Sequence, residues 1–129
     1  MAIVQLQGEN FHPLTIAEGG AVGADVTVIS HPEGRFYSVS RGIISRYYTL
    51  RAGDERGSFR MAITADFAKG SSGSPVFNQN GAVVGVVAST NSIYYNKKEG
   101  IGRNLQMVIK SCIPSGSILE LLNSGKGKN

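Results

Sequence analysis

Asp66-Phe67-Ala68-Lys69-Gly70-Ser71-Ser72-Gly73-Ser74-Pro75-Val76-Phe77, followed by the polar turn at 78–81 and the apolar run 83–88, is the stretch on which the reading turns. Ahead of it, 59–64 alternates as a strand does, and then the alternation stops. Residues 66–74 read as an irregular loop feeding a hairpin. A serine that attacks a carbonyl must project from a sharp turn, with backbone N–H groups aimed at the place where negative charge develops. Glycine at 70 permits the φ > 0 geometry that turns its N–H inward, and Gly73 lets the chain leave without a Cβ in the way. On that reading Ser72 is the nucleophile, and the N–H groups of Gly70 and Ser72 form an oxyanion hole. Composition alone favours a flexible Ser/Gly surface loop instead. A Walker-type phosphate loop needs Gly-Lys-Ser/Thr entering a helix, and Lys69-Gly70 reverses the order. A nucleophile elbow needs a helix directly after the serine, which Pro75 and the following strand deny.

Working outward, period-two alternation and β-branched residues dominate, with Gly or Asn at short intervals, so many short strands in one domain are expected. They are placed at 2–7, 14–17, 26–30, 36–48, 59–64, 75–77, 83–88 and 105–113. His31-Pro32-Glu33-Gly34 is a turn by composition, and Asp25 reads as turn chemistry too. Gly42 inside the long fourth strand suggests a bulge or sharp bend that helps a sheet curl. Residues 51–57 form a charged loop and 94–100 a tyrosine-bearing loop. Ser117 and Glu120 stand at capping-box spacing before Leu121, with Gly125 placed to end a short helix. The barrel is expected to occupy 1–122 and a flexible polar tail 123–129.

The 129 residues are 41% hydrophobic and 17% charged, enough for one ordinary apolar core without staples or metal. Cys112 is the single cysteine, which excludes an intrachain disulfide and a cysteine-based zinc site; it reads as a small buried hydrophobe. No apolar run approaches a membrane span, and Met1 leads straight into strand-like sequence. Either the protein is not exported or its true beginning is missing. Thirteen Lys and Arg against nine Asp and Glu give +4. The arginines at 41, 46, 51, 56 and 60 are scattered, which favours dispersed surface charge over a nucleic-acid groove. Tyr47, Tyr48, Tyr94 and Tyr95 are adjacent pairs, whose members point to opposite faces of a strand, so packing is the expected role rather than a base-stacking platform.

The run Gly70 to Val76, followed by Gly81-Ala82-Val83-Val84-Gly85-Val86-Val87, resembles the nucleophile region of trypsin-like serine peptidases. It is most similar to the bacterial high-temperature-requirement and glutamyl endopeptidase branches. Upstream, Val28-Ile29-Ser30-His31-Pro32-Glu33-Gly34-Arg35 and Ser38-Val39-Ser40-Arg41-Gly42-Ile43-Ile44-Ser45 resemble the second-barrel segment of those families, in the right order. The resemblance implies an all-β fold: the second, six-stranded Greek-key barrel of such a peptidase with a short C-terminal helix.

It also implies what is missing. The family's aspartate precedes a strand that Ala2-Ile3-Val4 matches, so it would fall just ahead of Met1, and no Ala-Ala-His-type motif occurs here. His12 and His31 read as turn or surface histidines. Peptidases that cleave after Lys or Arg carry an acid six positions before the nucleophile, where Asp66 stands; a buried carboxylate there would pair with a basic side chain. By the same resemblance Ala88, Ser89 and Thr90 form the edge that pairs with substrate backbone. The expected function is therefore the nucleophile-bearing half of a serine endopeptidase, acting through an acyl-enzyme in the intact protein and inactive alone. The alternative is a non-catalytic peptide-binding or scaffold barrel derived from one. Implied partners are a peptide or protein substrate and an N-terminal barrel, with self-association through the exposed inter-barrel face. No metal or organic cofactor is indicated, and the resemblance places the parent protein outside the cytoplasm.

Overall fold

In the computed structural model, which describes residues 1–50 and 58–126, six strands close into an antiparallel barrel and a helix follows. They are β1 (Asp25–Ser30), β2 (Ser38–Leu50), β3 (Ser58–Ile63), β4 (Pro75–Phe77), β5 (Val83–Lys98), β6 (Ile101–Pro114) and α1 (Ser115–Lys126). The order around the barrel is β1-β2-β3-β6-β5-β4, with β4 returning to β1 through Thr27–Phe77 and Val28–Val76. The expected all-β barrel with a short terminal helix is what forms.

Each strand follows from its side-chain period. In β1, Val26, Val28 and Ser30 are buried while Thr27 and Ile29 are not, so the apolar alternation points one face inward. Pro75 opens β4, a position where its missing N–H is tolerated. The hairpin to β5 is fixed by Asn78, whose Oδ1 accepts the N–H groups of Asn80 and Ala82 at 3.0 and 2.9 Å. Ile44, Met61, Val76, Val84 and Cys112 meet in the centre, each at most 1% exposed.

Several sequence expectations require correction. Residues 2–7 form no strand: a strand needs a partner, and Met1, Ile3, Val4 and Leu6 are exposed with none among the described residues. Of 14–17 only Ile16 makes a single parallel bridge, to Val83. The irregularity in β2 falls between Ile44 and Arg46, not at Gly42, which instead lies against the backbone of Thr64 and Ala65. Residues 94–100 are not a loop: β5 and β6 continue as a paired ribbon out to Lys98 and Ile101. The helix begins at Ser115, so Ser117 is inside it rather than capping it, and it runs past Gly125, taking the first part of the expected tail. The loop expected at 51–57 lies outside the described residues.

Cys112 is a buried hydrophobe, and burial pushes its thiol from 9.0 to about 12. The sign of the consequence is fixed by linkage. The folded thiol stays protonated while the unfolded one ionises as pH rises through about 9, so this stability is complete below pH 9 and is lost towards pH 12. Urea denaturation should show stability falling by about 1.4 kcal/mol per pH unit above about 9, with a shallower slope in Cys112→Ala. Identical slopes in the two proteins would refute the assignment.

Candidate active site

Ser72 follows directly on the residue, Ser71, that two consecutive turns share. The Ser71 N–H donates to Ala68 O at 3.1 Å and the Ser74 N–H to Ser71 O at 3.0 Å. The loop is tied to β5 by Gly73 N–H to Val87 O and Val87 N–H to Ser74 O, both 2.9 Å, and to the 31–34 turn by Glu33 N–H to Lys69 O at 2.7 Å. Gly70 and Gly73 have φ of 94° and 87°. Both lie in the left-handed region, which only glycine occupies cheaply. A Cβ on Gly70 would also come within 2.9 Å of His31 O.

These bonds leave a pattern. Neither the Gly70 nor the Ser72 N–H donates to a backbone carbonyl among the described residues, although their neighbours do. Ser72 is exposed, and its Oγ donates to Ala88 O at 3.2 Å. Ala88 is itself an extra residue in β5, since Val87 pairs with Cys112 and Ser89 with Ser111. The resulting bulge bends the strand beside the serine. A cavity of about 200 Å³ opens there, walled by residues 67–69 and 87–90. Larger hollows lie elsewhere, about 810 Å³ beside Tyr95 and Arg103, about 460 Å³ beside Arg46 and Met107, about 390 Å³ beside Tyr47 and Glu120 and about 380 Å³ beside Asp25 and Gln79. None of these contains Ser72, and the serine's chemistry rather than volume selects the site.

The other candidates are dispersed. Asp66 is not a buried pocket acid: its carboxylate is 87% exposed, sits 3.4 Å from Lys110 Nζ, and does not line the cavity by Ser72. The partner is Lys110, which the sequence reading passed over. Its ammonium is buried enough to need acceptors, and it takes Phe67 O at 2.6 Å with the exposed Asp66 carboxylate as its ion-pair partner. His31 Nδ1 accepts the Tyr37 N–H at 2.9 Å. In a neutral imidazole this puts the proton on Nε2, so the ring offers no free base nitrogen. His12 is exposed in the N-terminal segment, outside any helix or strand. Asp25 is not in a turn but opens β1, where its carboxylate accepts Gln79 Nε2 from the β4–β5 turn at 2.6 Å. The Tyr47 and Tyr48 hydroxyls are engaged with Gly20 O and Ser111 Oγ, as packing residues.

Residues 1–86 match the family described as trypsin-like peptidase domain. The chain belongs to this family. Solved structures share its fold. The inactive form of Rv3671c from M. tuberculosis, in a serine-to-alanine mutant, is 22% identical with a TM-score of 0.66, over 91% of this chain and 55% of that one. The inactive form of the Rv3671c protease gives 24% and 0.65, over 87% and 53%. A serine-to-alanine variant of the HtrA-type protease AlgW with a decapeptide gives 20% and 0.72, over 96% and 36%. The trypsin-like chain thus spans about half or less of these structures. No curated protein sequence matches it significantly. No described helix is long and apolar enough to cross a membrane.

Proposed function

We propose that this barrel is the nucleophile-bearing half of a serine endopeptidase of the HtrA-like branch. The observation that carries the reading is the pair of unbonded amides at Gly70 and Ser72 beside an exposed Ser72 hydroxyl. In the intact enzyme Oγ attacks the scissile carbonyl, its proton passes to a base, and the carbonyl oxygen becomes an oxyanion held by those two N–H groups. Collapse expels the amine, which takes the proton back, and water then hydrolyses the acyl-serine. The base and its orienting acid come from outside these residues, since His31 is spent on its own turn and the Ser72 proton rests on a carbonyl that cannot accept it. We assign the exposed apolar segment around Ile3, Val4 and Leu6 to contact with that other half. Ala88, Ser89 and Thr90 supply the edge for substrate backbone, and Asp66 takes no part in the pocket.

Hydrolysis of an activated peptide ester, in wild type and Ser72→Ala, tests this. Losing the histidine of such a triad lowers turnover on the order of 10⁶-fold, so Ser72-dependent hydrolysis should be negligible in buffer alone and emerge when free imidazole is added as a diffusible base. Substantial Ser72-dependent turnover without imidazole would mean that a base exists within the chain. Equal rates for both proteins at all imidazole concentrations would remove Ser72 as nucleophile.

A further inference from the structure

The ribbon formed by β5 and β6 beyond the barrel has an edge that continues from the active serine. On one side of β5, pairing with β4 ends at Val86 and the last loop bonds are made by Val87. From Ala88 to Lys98 that side has no partner among the described residues, while β6 holds the other side throughout. The second irregularity of the ribbon, between Ile93 and Tyr94, leaves its extra residue on β6, so β5 itself keeps an unbroken period. Its free edge is eleven residues long by that count, roughly 36 Å at strand rise. A long exposed edge is an aggregation hazard that proteins normally blunt or cover. Here it begins at the carbonyl that takes the Ser72 proton.

Resting on the reading of Ser72 given above, we propose that the whole edge from Ala88 to Lys98 is a docking strand for the part of a substrate N-terminal to its scissile bond. The occupant is one extended peptide of about eleven residues, acidic at its far end, added as an antiparallel strand. With the residue before the scissile bond beside Ala88, each further residue steps one place along β5. The sixth and eighth meet Ile93 and Tyr95, whose exposures are 40% and 73%. The tenth and eleventh meet Lys97 and Lys98. Arg103 pairs across from Asn96, and Glu99 is the one acid at the turn, so the end of the ribbon is net positive.

Two peptide boronic acids test this on the full chain: a trimer and an eleven-residue peptide with the same last three residues and two N-terminal glutamates. The eleven-mer should bind at least about tenfold more tightly. N-methylation of one alternate set of its upstream amides should abolish the gain, while the other set leaves it, because a strand edge pairs with every second residue. Replacing residues 94–105 by Asn-Gly should remove the gain and leave trimer binding unchanged. Equal affinity of the two peptides, or a gain indifferent to both N-methyl sets, overturns the docking strand while leaving the site intact. Binding of neither peptide, or binding unaltered in Ser72→Ala, overturns the site itself.

Discussion

Replacing Gly42 by alanine is expected to destabilise the barrel by about 3 kcal/mol, a fall in melting temperature of roughly 10 °C. Gly42 pairs with Val26 in β1, and a Cβ there would overlap the Ala65 backbone nitrogen and Thr64 Oγ1 and reach within 2.7 Å of the Thr64 carbonyl carbon. Two of these atoms are backbone, and the hydroxyl is held as acceptor of the Ile43 N–H at 2.8 Å, so no flexible end can swing aside. The end of β3 would have to move, and with it the start of the loop that carries Ser72. Gly116→Ala is the control. Its Cβ would meet nothing within 4 Å, and it lies in α1, so a change of no more than about 1 kcal/mol is expected. Thermal denaturation of both variants decides the matter; equal melting temperatures would mean that β2 does not lie against residues 64–65.

The second large effect is at the site. Gly70→Ala is expected to weaken a peptide boronic acid by about 100-fold, the scale on which single oxyanion-hole donors act. At φ 94° an alanine is strained, and its methyl would press on His31 O. Relief of that contact rotates the peptide unit that aims the amide at position 70. Stability should fall by only about 1–2 kcal/mol, so the protein remains folded while the ligand is lost. Inhibitor titration with a parallel denaturation curve separates the two. Full affinity in a folded Gly70→Ala protein would show that this amide is not a donor to the tetrahedral adduct.

The parts of this structure that local chemistry dictates were legible in the sequence. The alternation of Val26, Val28 and Ser30 specifies which face of β1 is buried, and Asn78 with Gly81 specifies the hairpin. Gly70 and Gly73 announce the turn around Ser72. What escaped depends on partners far apart in the chain. Asp66 stands at the spacing of a pocket acid, yet it is exposed and pairs with Lys110, 44 residues later, and nothing near Asp66 signals that. The polar composition of 94–100 reads as a loop because a two-stranded ribbon standing clear of a core has no apolar face to bury. Residues 2–7 have strand propensity but no partner strand, and propensity alone does not make a ladder. Ser117 and Glu120 match a capping box, whereas the chain is already helical from Ser115, whose side chain is buried against the barrel.

The central claim is that the amides of Gly70 and Ser72 converge on one point beside the Ser72 hydroxyl. It is tested most directly by following the backbone ¹H–¹⁵N resonances of the chain as a short peptide boronic acid is added. The two amides at 70 and 72 should move downfield together, more than those of Ser71 or Gly73, with saturation at a single ligand and no response in Ser72→Ala. Unmoved resonances at both positions while the ligand binds, or movement that persists without the serine hydroxyl, would contradict it.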